Sequence, residues 1–197
     1  MEKFLIIVCM IGFFSLAVFA GSTSHYDGKH TSLDEVSKVE HSAVYVDRHS
    51  TIKVNYPVEK AIRLFSAEGE KYWIPGWKPL ILKGDGFNKG DVFVIPASTD
   101  HKQSTFIVVE FNKEKGVALY SRVVQGLSAG LIEINVTPSG IGSSVDVTYK
   151  ITSLSKKGAE ELSRLSNEAF AKEMSHWEKS IESHKHFIEN WFKKGSE

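Results

Sequence analysis

Glu70-Lys71-Tyr72-Trp73-Ile74-Pro75-Gly76-Trp77 carries two of the four tryptophans of the chain around a Pro-Gly turn. At this point a helical pattern gives way to a strand pattern. Rings this large need a surface to pack on, and a Pro-Gly corner fixes how the backbone delivers them. The corner therefore marks either the end of a hydrophobic core or the mouth of an apolar pocket.

Working outward, Val58, Ala61, Ile62 and Phe65 form the apolar face of a helix of about two turns, opened by Pro57, where a missing N–H costs nothing. Ser66 is placed to cap a second short helix running through Glu70. Before them, Ala43 to Tyr56 reads as a strand, with Ile52, Val54 and Tyr56 alternating. Beyond the corner, strand patterns cover 79–83, 91–96, 103–112, 117–124, 130–137 and 143–153, separated by turn clusters such as Gly84-Asp85-Gly86 and Pro138-Ser139-Gly140. Connections this short predict an antiparallel meander. From Ser155, a plausible N-cap, a stripe through Leu162, Leu165, Ala169, Met174, Trp177, Ile181, Ile188 and Trp191 predicts one amphipathic helix of about nine turns.

Alternation divides the meander into two faces. The face to be covered takes Thr105, Ile107, Val109 and Phe111, then Leu119, Ser121 and Val123, then Ile132, Ile134 and Val136, and finally Val145, Val147, Tyr149 and Ile151. The other takes Phe106, Val108, Tyr120, Arg122, Leu131, Glu133, Asp146 and Lys150. Its acids and bases at comparable heights suit a solvated surface, with Arg122 and Glu133 as a cross-strand pair. A one-residue shift of register would instead put that pair on the floor of a pocket. The class is α+β: six or seven antiparallel strands curved around a long helix, with two short helices after the first strand.

The apolar run Phe4–Ala20 after Met1-Glu2-Lys3 reads as a signal peptide cut after Ala20 or as a short membrane anchor. Either way the remainder is expected to be exported, to a periplasm or beyond, and touches a membrane only through that segment if it is uncleaved. Residues 21–42 form a polar tether, in which Ser32-Leu33-Asp34-Glu35 fits a capping box for a short helix over 33–40. Residues 43–192 make the folded domain. Cys9, the only cysteine, lies in the export segment, so burial and not disulfides must hold the domain. The 24 basic and 24 acidic residues balance, which argues against nucleic acid or an anionic membrane surface as the main partner.

The motifs Tyr56-Pro57-Val58-Glu59-Lys60, Ser66-Ala67-Glu68-Gly69-Glu70, Trp73-Ile74-Pro75-Gly76-Trp77, Gly90-Asp91-Val92-Phe93, Tyr120-Ser121-Arg122-Val123, Val147 to Ser155 with Gly158, and Met174-Ser175-His176-Trp177-Glu178 stand in a recognisable order. With them the chain resembles the SRPBCC superfamily, also called START-like or Bet v I-like, in its bacterial polyketide cyclase/dehydrase and lipid-transport branch. The resemblance implies a helix-grip fold and a cavity under the long helix that takes hydrophobic or amphipathic molecules such as lipids, sterols and polyketides; some members cyclise or dehydrate their guests. The chain departs from it in its export segment and in Phe106, where relatives often carry tryptophan.

On this reading, Trp73, Trp77, Phe93, Thr105, Ile107, Ile134, Tyr149, Met174 and Trp177 are the candidate ligand contacts. Glu70 and Tyr149 are the candidates for acid–base work, Glu70 because burial near the mouth would raise its pKa. No metal site is expected: His184 and His186 point apart on a helix, His25 and His30 lie in the tether, and His101 and His176 have no evident partners. No cofactor is expected either. Three functions follow: a monomeric binder of a hydrophobic small molecule or lipid, a cyclase or dehydratase using the same cavity, or an interaction module docking through Phe106, Val108, Tyr120 and Leu131.

Overall fold

The computed structural model describes residues 43–98 and 102–194. The expected export segment, the expected tether with its capping-box pattern, and His25, His30 and His101 lie outside them. Strands β1 (Tyr45–Val54), β2 (Leu80–Lys83), β3 (Val92–Ile95), β4 (Ser104–Asn112), β5 (Val117–Val124), β6 (Ser128–Ser139) and β7 (Gly142–Ser153) form one antiparallel sheet in the order β1-β7-β6-β5-β4-β3-β2. Helix α1 (Val58–Arg63) and a 3-10 turn (Gly69–Tyr72) follow β1, as the Pro57 and Ser66 signals predict. Ser66 Oγ accepts from Gly69 N at 3.0 Å, closing the start of that turn.

The nine-turn stripe is divided into three helices, α2 (Lys156–Leu162), α3 (Asn167–Ser183) and α4 (Lys185–Lys194). Ser155 caps α2 through Gly158 N at 3.1 Å. Ser166 caps α3 through Ala169 N at 3.1 Å, so the chain restarts a helix where the apolar stripe runs on without interruption. Leu165 N reaches Leu162 O in a tightened turn between them, which keeps Leu162 and Leu165 both buried across the break. The second break is at His184, where the backbone leaves helical geometry.

Helix α3 runs along the β1 edge of the sheet. Lys53 N donates to Glu178 Oε2 at 3.1 Å, Asn55 Nδ2 to Glu182 Oε2 at 3.2 Å, and Arg48 Nε to Leu165 O at 2.6 Å. These bonds occupy backbone and side-chain groups that an edge strand would otherwise offer to another chain. Phe170, Met174, Trp177 and Ile181 of the same helix are buried in one core with both sheet and α1.

The strand registers correct half of the facing expected from alternation. On β6 and β7 the expected residues face inward: Ile132, Ile134, Val136, Val145, Val147, Tyr149 and Ile151 are all buried. On β5, and on β4 as far as Val108, the faces are exchanged; beyond the bulge Phe111 faces inward as expected, opposite Ala118. Tyr120 stands opposite Ile132, Ala118 opposite Ile134, Val108 opposite Tyr120, and Phe106 opposite both Arg122 and Phe93, so all of these share the buried face. Thr105 and Ile107 therefore point outward, and Ile107 is 42% exposed. A β-bulge at Val109 accounts for part of the error, because it inserts one unpaired residue and shifts the alternation of β4 at Glu110.

Candidate functional site

The Trp-Pro-Gly-Trp corner is a tight turn, with Trp77 N bonded to Ile74 O at 3.2 Å. Gly76 has φ +79°, the left-handed conformation that position i+2 of a type II turn demands after proline. Both indoles are buried and both N–H groups are satisfied by backbone: Trp73 Nε1 donates to Leu64 O at 2.7 Å and Trp77 Nε1 to Ala67 O at 2.9 Å. Trp73, only 1% exposed, meets Phe65 and Trp177 edge to face at 5.8 and 5.3 Å. Its carbonyl also accepts from Ser180 Oγ, tying the corner to α3. Trp77 meets Phe106 edge to face at 6.2 Å. The corner is thus an integral part of the interior wall.

Below it, the concave face of the sheet carries an aromatic layer and a polar patch. Phe93 and Phe106 stack, and Tyr120 meets the edge of Phe93 at 6.1 Å. Tyr120 Oη donates to Phe65 O at 3.0 Å. Beside them lies Arg122, 5% exposed, whose Nη2 is 3.4 Å from the buried Ser104 Oγ and whose Cζ is 5.8 Å from the Phe106 ring. Glu70, at the start of the 3-10 turn, approaches the same patch. The residue as a whole is half-buried, but its carboxyl lies deep enough that burial, partly offset by the Arg122 guanidinium, holds its pKa well above the ordinary carboxylate value. The Tyr120 hydroxyl is likewise pushed well above the usual phenol value, by burial and then by the Glu70 charge. Glu70, Tyr120 and Arg122 therefore form one electrostatically linked group inside the fold.

Of the candidate contacts, Phe93, Ile134, Tyr149, Met174, Trp73, Trp77 and Trp177 share the interior. Tyr149 packs against Phe170 at 5.1 Å between ring centroids. Thr105 and Ile107 do not belong with them, because they lie on the outer face. Arg122 is not paired with Glu133; Glu133 binds Lys150 Nζ at 3.0 Å on that outer face. Three of the four residues of the docking patch, Phe106, Val108 and Tyr120, are interior, which leaves only Leu131 outside. Arg122 takes the inward position that the shifted-register alternative gave it, without Glu133, and Ser104 is the polar residue beside it that alternation missed. The signal that could have found this polar patch is a charged residue in phase with Ala118, Tyr120 and Val124.

Among the described residues, no group of three His, Cys, Asp or Glu side chains could hold a metal ion. The acidic loop 84–91 is occupied with itself: Asp91 Oδ2 accepts from Asp85 N, Gly86 N and Asn88 N at 3.2, 3.1 and 2.9 Å. Those amides, Asn88 first, keep the Asp91 carboxyl below its ordinary pKa. No helix among the described residues is long and apolar enough to cross a membrane.

No protein-family model and no curated protein matches the chain, but solved structures do. Norcoclaurine synthase from Thalictrum flavum, in complex with dopamine and hydroxybenzaldehyde, superposes with a TM-score of 0.53 at 14% identity, over 82% of this chain and 98% of that one. Major latex-like protein 151 from Panax ginseng gives 0.54 at 13% identity, over 71% and 97%. An uncharacterised protein from Rhizobium leguminosarum gives 0.52 at 13% identity, over 72% and 97%. At such identities the likeness is one of fold. The seven-stranded curved sheet, the two short helical elements after β1 and the C-terminal helices give this chain the Bet v I-like helix-grip fold, the fold that its sequence resemblance implies.

Proposed function

We propose that the domain binds a hydrophobic or amphipathic small molecule, or a lipid, between the concave face of the sheet and the C-terminal helices, and that it does so in an exported compartment. The observation that carries this reading is the polar patch of Arg122, Ser104 and Glu70 on a concave face otherwise lined by aliphatic and aromatic side chains. Small-molecule sites combine an apolar lining with a few convergent polar groups in this way. A fold neighbour solved with dopamine and hydroxybenzaldehyde supports the same use of the architecture. The export segment at 4–20 supports the compartment.

The test is native mass spectrometry of the chain recovered from the exported fraction of its source cell. A co-purifying lipid or other apolar molecule, lost on Tyr149→Ala, is the expected result. A chain that carries no added mass and takes up no member of a panel of fatty acids, sterols and aromatic polyketides would overturn the reading. A second reading, acid–base catalysis in the same space, is favoured by the raised pKa of Glu70. It predicts that Glu70→Gln abolishes turnover while the guest still binds.

A further inference from the structure

We infer that Lys60 and Arg63 on α1 form a surface site for a dianionic phosphate group, backed by the rings of Trp191 and Phe192 on α4. The site draws on none of the residues of the interior patch and does not depend on what the interior holds. The Arg63 guanidinium carbon lies 4.8 Å from the centre of the Trp191 ring and 5.2 Å from that of Phe192. Lys60 Nζ lies 5.6 Å from the centre of the same Phe192 ring. Trp191 and Phe192 are buried and stack on each other, and Tyr72 stacks on Trp191 at 4.9 Å, so the surface beneath the two cations is fixed. A guanidinium laid on aromatic faces keeps its orientation and its fork of N–H donors.

Neither cation has a counter-charge among the described residues. The two stand i, i+3 on one helix, the spacing at which like charges oppose each other. Glu59 stands four residues before Arg63, the spacing of a helical ion pair, yet forms none; the guanidinium turns to the rings instead. Other carboxylates of the neighbourhood are engaged: Glu68 by Lys71 and by Tyr72 Oη at 3.4 Å, Glu189 by Lys185 Nζ at 3.9 Å, and Glu182 by Asn55 Nδ2 at 3.2 Å. Arg63 Nε is buried with no hydrogen-bond partner, whereas both Nη atoms are unbonded and not buried, so they reach solvent. This guanidinium has donors that nothing on the protein accepts.

The number and kind of donors select the anion. Two cations at one surface match two negative charges, and a phosphate monoester carries close to that at neutral pH. Its three terminal oxygens take the Arg63 fork and the Lys60 ammonium together. A carboxylate satisfies one of the cations and leaves the other uncompensated. Lys193 and Lys194, exposed directly after Phe192, add to the positive field that draws an anion to this corner.

The experiment has two arms, both at neutral pH and matched ionic strength. One measures binding of glycerol phosphate and of acetate to the intact chain by calorimetry. The other measures co-sedimentation of the chain with phosphatidylcholine vesicles made with and without phosphatidate. In at least one arm the phosphate monoester is expected to be bound at least about tenfold more tightly than acetate or plain phosphatidylcholine, the ratio that one charge-assisted hydrogen-bonded contact supplies. Preference for glycerol phosphate assigns a soluble ester, and preference on vesicles alone assigns a lipid headgroup; either supports the site. Lys60→Gln and Arg63→Gln should each erase most of the preference, while Lys156→Gln, exposed on α2, should leave it intact. Lys60 is exposed, so its variant tests the site even where Arg63→Gln disturbs the seat of α4. No preference in either arm overturns the site. So does a preference that survives both substitutions, or one that Lys156→Gln reduces equally, which would mark general attraction to cations.

Discussion

Phe106 lies flat on Phe93, with ring centroids 4.7 Å apart and ring planes within 3° of parallel, and both side chains are buried. The pair fixes the facing of β3 and β4 and separates the interior from the outer surface one residue away. Placing a charge at Phe106 therefore puts an unpaired carboxylate in the aromatic layer as well as leaving a void. Phe106→Asp should lose at least about 3–5 kcal/mol of stability. Ile107→Asp, on the outer face, should lose about 1 kcal/mol or less. Urea unfolding of the two variants checks this, and equal losses would mean that the register of β4 is wrong.

What the sequence disclosed and what it concealed differ strand by strand. On β6 and β7 the polar residues Glu133, Asn135, Asp146 and Lys150 fall strictly between aliphatic ones, so one phase of the alternation is plainly the buried one. On β4 both phases are apolar, with Phe106 and Val108 against Ile107 and Val109, and the bulge breaks the phase before Phe111 resolves it. On β5 the only charged residue, Arg122, belongs to the buried phase, so the usual rule that charge marks the surface points the wrong way. Glu70 was legible because it adjoins the tryptophan corner. The Arg122 charge that acts on it was not, since the two are 52 residues apart and come within electrostatic reach only in the folded chain. The long helix was legible as an apolar stripe, which is continuous, but its interruptions depend on local capping by Ser166 and on the turn at His184.

The buried acid gives a pH-dependent prediction. A carboxyl whose folded pKa is raised above its unfolded value keeps its proton longer in the folded state, so its contribution is intact below the unfolded pKa and is lost as pH rises through the folded one. For Glu70 this means stability falling as pH climbs out of the ordinary carboxylate range toward neutrality. Glutamine imitates the protonated form at every pH. Glu70→Gln should therefore be more stable than the parent at neutral pH, with the difference closing at acid pH. Paired thermal melts across that range measure it; a variant less stable than the parent at neutral pH would show that the ionised form, paired with Arg122, is the native one.

A second titration acts at the alkaline end. The Tyr56 ring is buried edge-on against Phe192, 5.6 Å between centroids, and its hydroxyl has no hydrogen-bond partner among the described residues. Burial, then the charges of Glu189 and Glu182, push its pKa up to about 12. The folded state holds this proton after the unfolded state has released it, so stability declines as pH rises above about 10. Tyr56→Phe removes both the titration and an unsatisfied polar atom. It should match or exceed the parent in stability at neutral pH, and it should lose less on passing to alkaline pH. Some decline will persist, because Tyr120 is shifted in the same direction. An unchanged alkaline slope in the variant would place the titration elsewhere.

Gly158 tests how closely the helical layer is seated on the sheet. It lies in the first turn of α2, where replacing glycine by alanine ordinarily gains about 1 kcal/mol of helix stability. Here a Cβ would stand 1.8 Å from Leu127 O, on the turn between β5 and β6. That carbonyl is not free to move aside, since it accepts from Leu154 N at 2.7 Å, and Leu127 N is in turn bonded to Val124 O at 2.9 Å. The added methyl must lift α2 off the turn and displace Leu162 and Leu165 from the core. Gly158→Ala is accordingly expected to cost about 1–3 kcal/mol, as overpacking does, against the sign of helix propensity. Lys156→Ala, exposed in the same turn, should change stability by no more than about 0.5 kcal/mol. The pair is read from urea melts: a stabilised Gly158→Ala would show that α2 stands clear of the β5–β6 turn, and that the helices close over the concave face less tightly than the contact at Leu127 requires.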